Sequence, residues 1–231
     1  MIVNTNNQER NRGPHLGILS ILFAFLFVMG LTYVISLSGT PPYFPGPWES
    51  AETIATYFRN QSHDVLMCAF FQFLSVIPLG LLTVTVVSRL QFFGLKAVGP
   101  YIALFGGLMT AFNLALSALV LWVMAYPGIA QDPSIIHALY YVVFAIGGVG
   151  YSVPLGLLIA GVSVSGGFTK LLPKWLVWFG ILLALFGEVS SLSLVFPKLV
   201  YLIPLTRFPG FIWLILMGFM LPKEKRAEAA L

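Results

Sequence analysis

Six stretches of this chain are each about as long as a bilayer core is thick, and almost free of charge: residues 17–37, 65–87, 101–126, 136–164, 175–196 and 199–221. A hydrocarbon core of about 30 Å takes roughly 20 apolar residues in a helix. Lipid offers no partner to a backbone N–H or C=O, so a spanning segment has to satisfy its own, and a helix does so. Barrel strands are excluded, because the runs are too long and do not alternate polar with apolar. The chain therefore reads as an all-α, polytopic bundle of six spans, one integral membrane domain over residues 1–231. Composition agrees, with 58% hydrophobic and 9% charged residues, against about 25% charged in a soluble domain. A soluble enzyme, a nucleic-acid-binding domain and a disordered chain are all excluded, and the bilayer is the expected partner.

Orientation follows from the bases, which cytoplasmic ends retain. Arg10, Arg12, Arg89, Lys96, Lys170, Lys174, Lys223, Lys225 and Arg226 fall on one side of the six-span layout, and Arg59, Lys198 and Arg207 on the other. That asymmetry puts both termini in the cytoplasm. Arg10 and Arg12 before an apolar run, with Ser36-Leu37-Ser38 before Gly39, also resemble a cleavable signal. The run is longer than a signal core, so span one is expected to be retained.

The connection at 39–63 is the only one with room for structure of its own. Its Gly-Thr-Pro-Pro-Tyr-Phe-Pro-Gly-Pro-Trp opening cannot be helical. Glu49 to Arg59 then form a good short helix, acids first and Arg59 near the far end, with Ile54, Tyr57 and Phe58 on one apolar edge. The expectation is an external interfacial helix lying on the outer leaflet; the alternative is a lid over an external cavity. Pro-Leu-Gly-Leu-Leu occurs at Pro78 in span two and again at Pro154 in span four, and Pro204 interrupts span six. These prolines are expected kinks, with Gly147, Gly148 and Gly150 making span four the most deformable helix.

Glu188 stands inside span five, where a carboxylate costs about 2.5–3.5 kcal/mol. Gly180, Ala184, Gly187 and Ser191 make a small-residue stripe on that span, and the spacing from Ala184 turns Glu188 toward the same seam. Counting from the inner ends, Glu188 lies about 20 Å up span five and Arg207 about 21 Å up span six. An ion pair between them is expected; the alternative is that Arg207 reaches the outer headgroups and Glu188 is protonated. Gln72, Asn113, His137, Tyr140, Tyr141, Ser190 and Ser191 are the other polar residues at similar depth. Together they line an outward-open cavity, or else hydrogen-bond between helices and fix their registry at roughly 0.6 kcal/mol each.

No nucleotide loop, zinc motif or nucleophile elbow occurs. His15, His63 and His137 lie apart, and Cys68 is alone. No enzyme, metal or cofactor is indicated. The Ala51-Glu52-x-Ile54-Ala55-x-Tyr57-Phe58 helix, the Pro78-Leu79-Gly80 kink and the Leu172-Pro173-Lys174-Trp175 start of span five resemble a family of uncharacterised bacterial six-span membrane proteins, domain of unknown function 4386. The resemblance implies a bacterial cytoplasmic-membrane setting and this topology, with no activity to carry over. Two functional readings follow. One is transport or sensing of a small ligand, or a lipid, through the external cavity; the other is a non-catalytic scaffold or partner subunit, alone or as a homo-oligomer.

Overall fold

The computed structural model describes residues 11–35 and 41–224; the Ser36–Gly39 cleavage motif and Arg10, Lys225 and Arg226 lie outside the described residues. Eight helices cover most of them: α1 (Leu16–Val34), α2 (Ala51–Asn60), α3 (Ser62–Phe92), α4 (Gly99–Met124), α5 (Pro133–Gly147), α6 (Val149–Phe168), α7 (Lys174–Val189) and α8 (Leu202–Met220). There is no strand among the described residues. Six helical segments are long and apolar enough to cross a membrane, with α5 and α6 counted as one.

The spans pack as a closed ring in chain order: α1 on α3, α3 on α4, α4 on α6, α6 on α7, α7 on α8, and α8 back on α1. Spans consecutive in the chain are thus neighbours in space, the usual arrangement. The ring closes because small residues let backbones approach. A Cβ added to Gly106 would lie 2.5 Å from the Leu158 nitrogen, and one on Gly161 would lie 2.6 Å from the Ala103 nitrogen, so α4 and α6 meet almost backbone to backbone. Inside the ring, Phe23, Phe27, Leu79, Leu82, Tyr151, Leu155, Trp213 and Met217 form the main core. Outward faces are equally apolar, with Phe25, Phe70, Phe105, Phe112 and Leu185 exposed, as helices bathed in lipid require.

Both described ends meet on one face. The Asn11 amide donates to the Lys223 carbonyl over 3.0 Å. Arg89, 3% exposed at the end of α3, donates to the Leu221 and Pro14 carbonyls, each over 3.2 Å. This terminal face also carries the α3–α4 and α6–α7 turns. The opposite face carries the proline-rich strap at 41–50, α2, the turn at 125–132 and two 3-10 segments, Ser190–Leu194 and Pro197–Tyr201.

Three expectations need correction here. Span four is two helices, because Gly148 (φ −87°, ψ −94°) ends α5 and begins α6 in a backbone state no helix contains. Pro78 and Pro154 stand inside α3 and α6 as expected, whereas Pro204 is the third residue of α8. Amides of a first turn have no intrahelical acceptor, so a proline there breaks nothing; the proline inside α8 is Pro209. The edge of α2 expected to enter the leaflet is instead covered by protein. Ile54, Ala55 and Phe58 are fully buried and Tyr57 nearly so, packed with Ile136 and Tyr140 of α5 and with Leu121 and Met124 of α4.

Candidate functional site

A cavity of about 180 Å³ opens between α1, α3, α4, α5 and α8, toward the face that carries the strap. It reaches from Val34 and Ile35 at the end of α1 down to Phe27, seven residues or about 10 Å deeper. Most of its wall is apolar, and Arg207, Gln72 and Ser117 bring the polar groups.

The strap closes one side. Phe44 lines the cavity and packs edge-on against Tyr57 and Tyr140, with ring centres 5.4 and 5.6 Å apart. The Tyr140 hydroxyl donates to the Pro45 carbonyl over 2.5 Å, His137 Nε2 lies 3.0 Å from the Pro47 carbonyl, and Trp48 meets Phe144. A proline-rich strap has few amides to satisfy and several free carbonyls, which α5 supplies with donors. On α2, burial pushes the Tyr57 phenol up to about 12, with Asp64 adding to it.

The break between α5 and α6 sets the polar end. Pro154 has no amide to give the carbonyl four residues back, that of Gly150, and the Asn113 amide on α4 donates to it instead. The terminal carbonyl of α5, Gly147, accepts from the Arg207 guanidinium. That guanidinium lies 4.7 Å from the Tyr151 ring centre and 5.5 Å from that of Phe27. Arg207 Nε is buried with no hydrogen-bond partner, as is the Tyr151 hydroxyl beside it. The side chain keeps some exposure, and the cavity it lines accounts for it.

The expected Glu188–Arg207 ion pair is not formed; neither residue joins any salt bridge between described residues. The depth estimate survives, because Gly187 and Thr206 are in contact distance across α7 and α8. Each charged residue follows its contact residue by one position, about 100° further round its helix. Arg207 is thereby turned to α1 and α6, and Glu188 is exposed at the rim of the α6–α7 seam, near Gly156. Of the small-residue stripe, Gly180, Ala184 and Gly187 are buried, whereas Ser191 lies beyond α7 in a 3-10 segment and does not extend it.

The remaining expected residues divide. Gln72 lines the cavity with Arg207. Asn113 serves the helix break, and His137 serves the strap. Ser191 bonds the Glu188 carbonyl over 2.6 Å at the end of α7, away from the cavity. The sequence reading missed Phe44 and Phe27 as cavity walls and Arg89 as a clamp between the termini. For Phe44, its place in a stretch of carbonyls without amides, opposite the donors of α5, was an available signal.

No family model matches the chain, and no curated protein or solved structure matches it either. The class therefore rests on the fold itself. Six apolar helical segments, each long enough to cross a bilayer, make this a multi-pass membrane protein.

Proposed function

We propose that this protein binds a small amphiphilic organic anion in the cavity headed by Arg207, in the service of transport or sensing. The observation that carries the reading is a guanidinium lining an apolar cavity with a buried, unpartnered Nε and no carboxylate partner. Satisfying the helix break alone does not call for a cation. At Gly150 a neutral amide does the same task, whereas an arginine in a span costs about 2.5–3.5 kcal/mol to insert. Guanidinium is the side chain suited to a planar carboxylate. A cavity of 180 Å³ resembles in size one of about 150 Å³ that admits a benzene ring, and the walls include Phe27, Phe44, Tyr140 and Phe144.

In this reading the terminal face is cytoplasmic, as the distribution of bases implies, and the cavity opens outward. The resemblance to domain of unknown function 4386 is part of the same proposal. The test is thermal unfolding of the detergent-purified protein with benzoate, and with benzyl alcohol as its uncharged counterpart. Benzoate is expected to raise the midpoint, by the equivalent of about 2.7 kcal/mol at a hundredfold excess over Kd, and benzyl alcohol to do little. Arg207→Gln is expected to abolish the shift and Arg207→Lys to keep part of it. Equal shifts from acid and alcohol, or an undiminished shift in Arg207→Gln, would overturn the proposal.

The scaffold reading draws on the same hydrogen bonds, since Asn113 and Arg207 both hold carbonyls at the α5–α6 break. It expects Arg207→Gln to lower stability while no carboxylate stabilises the wild-type protein.

A further inference from the structure

Independently of the Arg207 cavity, the terminal face carries a second concave site. A groove of about 700 Å³ lies along α6 and α7 where the turn between them folds back. Its walls are Val164 on α6 and Val177, Trp178 and Ile181 on α7, with Lys170 and Lys174 at its mouth. Glycine shapes the floor: a Cβ on Gly166 would lie 2.8 Å from Leu172 Cδ1, and one on Gly167 would lie 3.0 Å from Val177 Cγ1. Lys170 itself takes a left-handed backbone (φ 56°), which turns the chain back at the mouth.

We infer that this groove holds one anionic phospholipid, its phosphate between Lys170 and Lys174 and an acyl chain along the wall. Both lysines are exposed, and no described carboxylate forms an ion pair with either. From Lys174 to Ile181 the wall runs seven residues, about 10 Å along the helix axis, in the direction a lipid chain takes. Its surface faces outward: Val164 is exposed and Trp178 is 68% exposed, which suits a lipid better than a soluble anion. Trp175, next to Lys174 in the chain and exposed, stands at the level of the lysines, where indole rings settle among headgroups. Basic pockets between spans at a membrane face are a recurrent way of selecting anionic headgroups. Phosphatidylcholine fits the wall equally well, but its headgroup carries no net charge for the lysines. Free phosphate answers the lysines and leaves the wall bare.

The test reconstitutes the full chain into phosphatidylcholine vesicles carrying a minor share of either brominated phosphatidylglycerol or brominated phosphatidylcholine, and measures tryptophan quenching. The anionic lipid is expected to quench in excess of the neutral one at equal mole fraction. Trp178→Phe should remove most of that excess. Lys170→Gln with Lys174→Gln should weaken apparent affinity for phosphatidylglycerol about fivefold per lysine, while the double arginine variant keeps it. Lys96→Gln, on another turn of the same face, should change nothing. Equal quenching by the two lipids in the wild type would overturn the inference. So would an excess that survives in the double glutamine variant, or one lost equally in Lys96→Gln, which would mark a diffuse surface effect.

Discussion

Asn113 shows how a single polar side chain in a span is explained by a proline forty-one positions away. Pro154 leaves the Gly150 carbonyl without its helical donor, and Asn113 supplies one from α4. Replacing Asn113 by Ala should cost about 1–3 kcal/mol, the penalty of a buried unsatisfied carbonyl. In a Pro154→Ala background, which restores the missing amide, the same replacement should cost clearly less; denaturant unfolding of the four variants gives the coupling directly. Both residues were legible in the sequence, and so was the rule linking Pro154 to Gly150. What was not legible was that α4 passes that carbonyl. Arg89 teaches the reverse lesson. As a base at a span end it reads as an orientation signal, yet it is buried and ties Pro14 to Leu221. Arg89→Ala should cost about 2–3 kcal/mol in the same assay, as expected for hydrogen bonds from a charged donor, far more than loss of an exposed topology signal.

Among the helices, identical glycines have opposite roles. Gly106→Ala drives a Cβ into the α6 backbone at 2.5 Å and should destabilise by about 1–3 kcal/mol through overpacking. Gly80→Ala meets nothing within 4 Å and should be neutral or stabilise by up to about 1 kcal/mol from helix propensity. Paired thermal unfolding measurements separate them. α2 provides a pH signature. Burial raises the folded-state pKa of Tyr57 from 10.0 to about 12. An acid with a raised folded pKa contributes its full stability below the unfolded value and loses it as pH climbs through the folded one. Stability should therefore fall across pH 10 to about 12, and Tyr57→Phe should flatten that part of the profile. The existence of α2 and its apolar edge was legible from spacing. That the edge meets α5, and not lipid, was not, since both are apolar environments.

For the molecule as a whole, the proposed orientation has the terminal face in the cytoplasm, on the asymmetry of bases. Cys68 is the one cysteine of the chain and is buried, so introduced cysteines report cleanly. In intact cells an impermeant thiol reagent should label Gln131→Cys, exposed beyond α4, and spare Lys96→Cys in the α3–α4 turn. The opposite pattern would invert the orientation and turn the Arg207 cavity toward the cytoplasm.

Hydropathy and length alone determined the number of spans and their relative depths, because insertion into hydrocarbon is a property of each segment by itself. Only the tertiary structure decided how each helix is rotated. In water, a polar face and an apolar face tell a helix which way to turn. In lipid, core and surroundings are equally apolar, and that cue is erased. Glu188 and Arg207 were therefore placed at the right heights and the wrong azimuths. The closed ring, held by backbone contact at Gly106 and Gly161, turned one to the rim of a seam and the other into a cavity.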